Sequence, residues 1–329
     1  GTSPTDKEAY ALAHVILGAS SAVDARRPNA RRLLDAALDV LNRHFWDERA
    51  GAVVDSWSRG WRVLDDYRGA NANMHAVEAL LAASAAAGSA RCLEQALRIL
   101  DRFVNHAARD NDWRMPEHYT AAWIADRSFN ADAPFDMFKP YGVTPGHLFE
   151  WAKLCCQAAA AAGPSAPSWL VPAARRLFAR AAADGWLVDG APGLVYTVDW
   201  DGSPRARQRL HWVLAEAIGA AALLAQTTGE ATYRDWYRTW WAFAEEHLID
   251  REQGSWRHEL DATLEPSSTI VAGKPDVYHS LQACLYALVP PGPSIAAALA
   301  SDPGPSADGG AEPGHRLGVG PEPGADTGE

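Results

Sequence analysis

Two kinds of helical segment alternate along this chain, and that alternation constrains its fold more than any single motif. One kind is amphipathic, with apolar residues at helical spacing and charged residues between them, as expected of a helix with one buried side and one wet side. The other kind is alanine-rich and apolar nearly all round, so it should lie inside, covered by the first kind. The amphipathic segments are residues 29–45, 91–106, 168–184 and 231–249, and the apolar segments are residues 71–87, 145–162, 208–227 and 276–289.

The connections between these segments are unequal in length. Each apolar segment reaches the next amphipathic one through a short turn, and Gly88, Gly163 and Gly229 are placed as C-terminal caps. The return connections are long, and residues 194–198 within one of them resemble a strand that closes on Asp201-Gly202. All the apolar helices should therefore begin at the end of the molecule where the long loops gather. The long connections are residues 47–70, 107–144, 187–207 and 250–275.

A histidine lies near the start of each apolar segment. The four are His75, His147, His211 and His279, and the intervals between them are 72, 64 and 68 residues. A repeat near this length indicates one helix–loop–helix unit used several times. Because the apolar helices begin at one end of the molecule, the four imidazoles are expected to converge on a shared site at the loop end.

One interval before His75, residues 7–22 begin a further largely apolar helix. The sequence thus predicts an all-α protein with five inner and four outer helices. A closed double ring needs helices in pairs, so the odd number predicts a ring that is incomplete at its N-terminal side. The chain begins with Gly1 rather than Met, which fits a processed chain, an engineered chain or a fragment.

Composition excludes several classes of partner. The net charge of −11 argues against nucleic acid and anionic membranes as partners. The sequence contains no run of 18 uncharged apolar residues, so no transmembrane helix is predicted. The N-terminus has no signal-peptide pattern. The four cysteines have no Cys-x-x-Cys spacing and are interpreted as reduced core thiols of a cytoplasmic protein. The fourteen tryptophans could stack on sugars or fill the core, and composition does not choose between these roles.

Carboxylates near the histidines suggest proton chemistry. His75 and His147 are each followed three residues later by a glutamate, Glu78 and Glu150, which could fix the tautomer of the imidazole and raise its basicity. His211 is followed by Glu216 at a less favourable spacing. The positive end of the helix dipole disfavours imidazolium, so such histidines should stay neutral near pH 7 and be ready to accept a proton. Two of them across a pocket could move a proton on and off a carbon.

Other chemistries are less well supported. Histidine and glutamate on facing helices can bind a metal, but such sites favour the order Glu-x-x-His, which is reversed here, so no metal is predicted. Glycoside hydrolysis would need a carboxylate pair, and the spacing of the candidates does not select two of them. These candidates are Glu150, Asp199, Asp201 and Glu259. Nucleophile-elbow, phosphate-loop and dinucleotide-binding motifs are absent from the sequence.

Four ordered motifs at the starts of the apolar helices resemble the N-acylglucosamine 2-epimerase superfamily, and are most similar to its D-mannose isomerase branch. The resemblance covers roughly residues 7–300. Lys274 and His211, where cellobiose 2-epimerases tend to carry aromatic residues, favour a monosaccharide site. The four motifs are Asn71–Glu78, Gly146–Trp151, His211–Glu216 and Lys274–His279.

The resemblance implies an (α/α)6-barrel, a toroid of inner and outer helices, with short β-hairpins in the loops at the active-site end. It implies an enzyme without metal or other cofactor in which His147 and His279 move a proton between C1 and C2 of a sugar through a cis-enediol. The remaining residues would bind the sugar or orient the two histidines, and Trp212 and Trp256 would stack on the sugar. The predicted substrate-binding residues are Tyr10, Asn71, His75, Glu150, His211, Trp212, Glu216 and Trp256.

The expected activity is aldose–ketose isomerisation of the D-mannose/D-fructose or D-lyxose/D-xylulose type. The alternatives are an N-acylglucosamine or cellobiose-type 2-epimerase, and an inactive remnant that binds sugar. The expected partner is a monosaccharide, with a homodimer left open and no nucleic acid or membrane partner.

The chain departs from the family pattern at its start. Relatives begin with three further helices, the second of which carries an arginine that reaches the substrate, whereas this chain starts at the fourth helix. Where relatives have Tyr-x-His, only Tyr10 matches, and Lys139 stands where arginine is common. A ring without these helices would expose apolar faces, so the chain alone is expected to be poorly stable or inactive. The expected domains are a catalytic barrel lacking its first helices over 1–300 and a disordered Pro/Gly-rich tail over 301–329.

Overall fold

Inner and outer helices alternate along the chain in a computed structural model that describes residues 5–301. Each inner helix packs against the next, in the order α1, α3, α5, α7 and α9, and α2, α4, α6 and α8 pack on the outside. The helices are α1 (Ala9–Asp24), α2 (Ala30–Val40), α3 (Ala70–Ala87), α4 (Ala90–Leu100), α5 (Pro145–Ala162), α6 (Leu170–Gly185), α7 (His211–Thr228), α8 (Ala231–Phe243), α9 (Tyr278–Tyr286) and α10 (Ile295–Ser301).

Three outer helices end in wider, π-type turns. These turns continue α2, α4 and α8 over Leu41–Phe45, Asp101–Ala108 and Ala244–Leu248, so the outer helices reach nearly as far as the amphipathic pattern predicts. Short 3-10 turns lie at Arg109–Asn111 and Gly163–Ser165. Gly88 and Gly229 end α3 and α7 in the left-handed conformation, with φ of 64° and 74°, as their position after an apolar segment predicted.

Five pairs of short antiparallel strands organise the long loops. Two pairs, β2–β3 and β7–β8, are local hairpins, and β7 lies within the strand predicted at residues 194–198. The other three, β1–β4, β5–β6 and β9–β10, join segments distant in sequence, so they tie the long loops together at the starts of α1, α3 and α7. The strands are β1 (Lys7–Glu8), β2 (Trp46–Asp47), β3 (Ala52–Val53), β4 (Ser56–Trp57), β5 (Arg68–Gly69), β6 (His118–Tyr119), β7 (Thr197–Val198), β8 (Pro204–Ala206), β9 (Arg209–Leu210) and β10 (Glu259–Leu260).

The core follows the inner helices. Helices α3, α5 and α7 are buried on nearly every side along most of their length, which explains why their sequences lack a polar face. Small alanines on these helices let neighbouring backbones approach each other. The predicted all-α fold with inner and outer helices is confirmed. No helix between residues 5 and 301 is long and apolar enough to span a membrane.

The first and last inner helices are not fully covered. Leu281 on α9 is 52% exposed and Val15 on α1 is 44% exposed, so these helices bury one face only within the described part of the chain. The prediction that the 276–289 segment lies inside is therefore wrong for one of its faces. Cys284, expected as a core thiol, is exposed on α9 for the same reason, whereas the other three cysteines are buried and all four are free.

Helix α10 was not predicted, because its seven residues follow a proline-rich stretch. Its Ser294 cap accepts a hydrogen bond from Ala297 N–H, and Ala297 and Ala298 are buried. The helix contacts α1, α3 and α9. The predicted disorder of residues 301–329 concerns a stretch that, after Ser301, lies outside the described residues.

Candidate active site

The four spaced histidines all lie near the N-terminal ends of inner helices. His211 is the first residue of α7, His279 the second of α9, His147 the third of α5 and His75 the sixth of α3. Three are buried, and the His279 side chain retains 19% exposure. The repeat thus delivers one imidazole from each of four inner helices to the same end of the molecule.

The indole of Trp212 lies between the imidazoles of His147 and His279. The centroid of its indole lies 5.2 Å from that of the His147 ring and 5.8 Å from that of the His279 ring. The His211 ring lies 6.0 Å from His279. Helices α5, α7 and α9 therefore contribute residues to one site, and the indole of Trp212 lies between the two imidazoles predicted to be catalytic.

His75 belongs to a neighbouring cluster of rings. Its ring centroid lies 5.0 Å from Tyr10 and 4.8 Å from His14, both on α1. It also lies 6.4 Å from Tyr278, which is adjacent in sequence to His279. The sequence interpretation did not select His14 or Tyr278, although His14 lies one turn after Tyr10 on the same helix.

Each of the two predicted catalytic histidines has a carboxylate at Nδ1. Nδ1 of His279 hydrogen-bonds Oε1 of Glu216 at 2.8 Å, and Nδ1 of His147 lies 3.0 Å from Oε1 of Glu117. A carboxylate at this nitrogen favours a proton on Nδ1 and leaves Nε2 available to a ligand. Both imidazoles are thus held in an arrangement suited to proton transfer.

Glu117, rather than Glu150, is the partner of His147. The expected i,i+3 contact does not form on α5, because the Glu150 side chain points toward His75, with Oε1 3.8 Å from His75 Nδ1. The pairing of β5 with β6 brings Glu117 to the mouth, and Ala70 N–H donates to its carbonyl at 2.9 Å. Spacing could not reveal this, since Glu117 lies in a long loop thirty residues before His147. The other expected i,i+3 contact is present, with His75 Nδ1 3.5 Å from Glu78 Oε2.

A buried charged cluster lies behind the rings. It contains Glu78, Glu150, Glu216 and Lys153, and the Lys153 Nζ lies 2.6 Å from Glu216 Oε2. Glu216, predicted to bind substrate, lies between Lys153 and His279, a position from which it orients His279. Lys153 was missed, although a lysine within an apolar helix is itself a signal of a buried ion pair.

The buried carboxyls differ in how readily they ionise. Burial and the neighbouring Glu216 charge raise the pKa of Glu150 to about 8. Burial also opposes ionisation of Glu78, but the adjacent His75 imidazole and the Lys153 charge outweigh it and lower the pKa to about 2. Lys153 and His279 likewise outweigh burial at Glu216, whose pKa is lowered. Near neutral pH the cluster therefore carries a proton on Glu150, which can donate a hydrogen bond.

The pKa values of the histidines also shift in different directions. Burial alone would lower the pKa of His147, but the Glu117 carboxylate outweighs it, and the pKa is raised. Burial, together with His279 and His258, lowers the pKa of His211 well below its usual value. The expectation of a neutral imidazole thus fits His211, whereas His147 is displaced toward imidazolium by a carboxylate that the sequence did not reveal.

A cleft of about 640 Å³ opens beside the His75 cluster. Tyr10 and Asn71, both predicted to bind substrate, line it, and Asn71 Oδ1 is buried without a hydrogen-bond partner among the described residues. Burial and the Glu150 charge raise the pKa of Tyr10 to about 12, so its hydroxyl stays protonated. The lining residues are Glu8, Tyr10, Ala11, His14, Asp55, Ser56, Tyr67, Asn71, Ala72, Phe138 and Lys139.

Trp256 lies deeper than a stacking residue would. It is 7% exposed and packs edge-on against His211 and Trp241, with ring centroids 6.4 Å and 5.9 Å away. Its position is that of a residue that supports His211 from behind. Trp212, in contrast, is only partly buried, and lies between two imidazoles.

One group of side chains has the composition of a cation site. Ligand atoms of His75, Glu78 and Glu150 all lie within 4.8 Å of one another. Glu78 already accepts a hydrogen bond from the Tyr278 hydroxyl. The raised pKa of Glu150 means that a cation would have to displace its proton at neutral pH. His75 Nδ1 and Glu150 Oε1 have no hydrogen-bond partner among the described residues, so both are available to a ligand.

Comparison with known proteins identifies the family. A model of the N-acylglucosamine 2-epimerase (GlcNAc 2-epimerase) family matches residues 1–283, so this chain belongs to that family. It is accordingly an enzyme of the sugar isomerase and epimerase class.

Several similar proteins within this family are D-mannose isomerases. The chain is 51% identical over 296 residues to a D-mannose isomerase from Thermobifida fusca, and 49% identical over 299 residues to one from Pseudomonas cannabina pv. alisalensis. Both alignments cover 90% of this chain and 72% of the relative. A crystal structure of a D-mannose isomerase superposes with a TM-score of 0.81 at 33% identity, over 86% of this chain and 72% of that one.

Proposed function

We propose that this chain is an aldose–ketose isomerase that acts on a monosaccharide of the D-mannose/D-fructose or D-lyxose/D-xylulose type. The observation that carries the proposal is the pair of histidine–carboxylate contacts, His279–Glu216 and His147–Glu117, on either side of Trp212. The similarity to D-mannose isomerases supports the choice of sugar.

In the proposed reaction, His279 is the base. With Nδ1–H donated to Glu216, its Nε2 removes the proton from C2 of the open-chain aldose. The C2–H electron pair forms the C1=C2 bond of a cis-enediol as the carbonyl oxygen at C1 gains a proton. Return of the carbon proton to C1 and loss of the hydroxyl proton at C2 give the ketose. Hydrogen moves only as a proton, so the balance requires no redox cofactor.

His147 is the proposed acid. Glu117 displaces it toward imidazolium, the form that can donate a proton to the carbonyl oxygen of the aldose. The same imidazole can then accept the hydroxyl proton from O2. Because imidazolium stabilises the developing oxyanion directly, the proposed step needs no metal ion.

Six other residues are proposed to bind the sugar. Tyr10, Asn71, His75 and His211 would hydrogen-bond its hydroxyls, and Trp212 would stack on its C–H face. Glu150, protonated near neutral pH, would donate a hydrogen bond to a sugar oxygen. The predicted stacking by Trp256 is not part of this proposal, since that ring packs behind His211.

Incubation with D-mannose in deuterated water, followed by NMR, tests the proposal. An isomerase produces fructose and incorporates deuterium at carbon. Appearance of the C2 epimer without ketose would instead support the 2-epimerase alternative. Sugar binding without any exchange would support the binding remnant and overturn the proposed activity.

The assignment of His279 is tested in the same assay. His279→Ala is expected to abolish deuterium incorporation while the circular dichroism melt stays close to that of the unmodified chain. His106→Ala, which removes an exposed histidine paired with Asp101, is the matched control and should retain full exchange. Turnover by a folded His279→Ala variant would contradict the role given to His279.

A further inference from the structure

Lys153 is fully buried within the apolar helix α5. A buried ammonium costs several kcal/mol of desolvation unless close partners compensate it, so its position calls for an explanation. Its partners are Glu216 Oε2 at 2.6 Å, Gln282 Oε1 at 3.5 Å and the Tyr286 ring, whose centroid lies 5.2 Å from Nζ. Of these groups, only Glu216 is charged and in direct contact.

Glu216 connects Lys153 to His279. One carboxylate oxygen, Oε2, contacts the ammonium, while the other, Oε1, contacts His279 Nδ1 at 2.8 Å. Three inner helices, α5, α7 and α9, therefore meet through a single carboxylate. The Lys153 side chain lies behind Glu216, so its direct contact with the His279 site runs through that carboxylate.

The surroundings of Glu216 would protonate it if the ammonium were absent. Its side chain is 2% exposed, and the ionised Glu78 belongs to the same buried cluster. Burial and like charges each favour the neutral carboxyl. A neutral carboxyl would hold the Nδ1–H tautomer of His279 less strongly than a carboxylate does.

We infer that Lys153 is a positioning residue for the isomerisation: it keeps Glu216 ionised, so that Glu216 holds His279 with its proton on Nδ1 and its Nε2 facing the substrate. The inference rests on the proposed function, because the role of His279 as the base is part of that proposal. The contacts described for Glu117 include no lysine or arginine, so this arrangement distinguishes His279 from His147 within the described residues.

Lys153→Met tests the inference, since methionine preserves much of the volume and removes the charge. We expect kcat to fall about tenfold, typical of coupling within one ion-pair network, with KM changed less than twofold. The acid limb of the kcat–pH profile should move to higher pH, because Glu216 would then take up a proton more readily. Gln157→Met, a buried polar residue one turn further along α5, is the matched control and should leave the acid limb unmoved.

A second measurement does not depend on turnover. In chain labelled with ¹⁵N-histidine, NMR should show the Nδ1–H tautomer of His279, and Lys153→Met should reduce it while Gln157→Met leaves it unchanged. If the unmodified chain does not isomerise or exchange, the proposed function fails, and the tautomer measurement still decides the role of Lys153. An unchanged tautomer in Lys153→Met, or a change shared with Gln157→Met, would overturn the inference.

A double variant covers the case in which Lys153→Met does not fold. Lys153→Met combined with Glu216→Gln removes both charges of the pair, which buried sites tolerate better than loss of one partner. Its His279 tautomer should equal that of Glu216→Gln alone, because the inferred effect of Lys153 on His279 passes through the Glu216 charge. A further loss of that tautomer in the double variant would show that Lys153 acts by another route and would refute the inference.

Discussion

At the residue scale, carboxylates set the properties of the two imidazoles proposed to be catalytic. Glu117 contacts His147 and Glu216 contacts His279, each at Nδ1. The two carboxylates differ in their surroundings and effects. Glu216 also contacts Lys153, whereas Glu117 raises the pKa of His147, which burial would otherwise keep neutral. Two residues of the same type at equivalent places in the repeat can therefore take the roles of acid and base.

Replacing Glu117 with glutamine should lower the pKa of His147, because Glu117 is the carboxylate that contributes most against the effect of burial. If His147 acts as imidazolium, the loss of kcat at high pH should move to lower pH. The fall in kcat at neutral pH should be roughly 10- to 100-fold, as for other carboxylates that orient a functional histidine. A kcat–pH profile, with an NMR titration of His147, measures both effects.

The matched control for this prediction is Glu246→Gln. Glu246 forms a histidine–carboxylate contact with His247 at 3.7 Å, but its side chain is 75% exposed. Its replacement should leave the profile unchanged. An unshifted His147 titration in Glu117→Gln would show that Glu117 does not control the imidazole.

At the element scale, the close approach of α5 to α7 sets the position of the indole between the two imidazoles. A Cβ at Gly146, on α5, would lie 2.5 Å from Trp212 Cζ3 on α7. Such a distance cannot be accommodated without movement of the indole. The Gly-His dipeptide at the start of α5 thus provides both the imidazole and the space for the ring beside it.

Gly146→Ala is therefore expected to displace Trp212 and lower kcat/KM by at least about tenfold, since small misplacements of substrate-positioning groups are costly. Gly18→Ala on α1 is the contrasting control, because a Cβ there meets no atom within 4 Å. That control should retain activity and gain about 0.5–1 kcal/mol of stability from the higher helix propensity of alanine. Equal kcat/KM in both variants would contradict the packing argument, and thermal melts measure the stability difference.

At the scale of the whole molecule, the loop layer holds ionisable groups that affect stability as well as the site. Asp55 lines the cleft and accepts a hydrogen bond from Gly69 N–H at 2.6 Å. Burial nevertheless raises its pKa from 3.8 to about 7. An acid whose pKa is raised by folding binds its proton more tightly in the folded state, so it contributes stability below its unfolded pKa and loses that contribution as pH rises through its folded pKa.

Asp55→Asn should therefore gain stability relative to the unmodified chain as pH rises from about 4 to about 7, because the amide cannot ionise. At the acid end of this window the two melting temperatures should be close, and at pH 8 the variant should melt higher. Asp66→Asn, at an exposed position nearby, controls for the general effect of replacing an aspartate with asparagine in this loop. A constant difference for Asp55→Asn would show that Asp55 does not titrate as its burial indicates.

Much of the fold could be predicted because it depends on local properties. Helical periodicity located α3, α5 and α7 to within three residues, since an apolar helix can be stable only inside other helices. The last inner helix was predicted at 276–289 and extends from Tyr278 to Tyr286, where Asp276 Oδ1 accepts the Tyr278 N–H at its start. Caps and edge exposure depend on particular side-chain contacts, which periodicity does not report.

By itself, the sequence determined the alternation of inner and outer helices and the placement of His75, His147, His211 and His279 at one end, because the period of the repeat fixes both. Tertiary structure alone decided which carboxylate each imidazole meets. The β5–β6 pairing brings Glu117 to His147, and the packing of α5 against α7 brings Lys153 to Glu216. Ionisation depends on burial and on charges a few ångströms away, and these neighbours are set by packing between segments far apart in the chain.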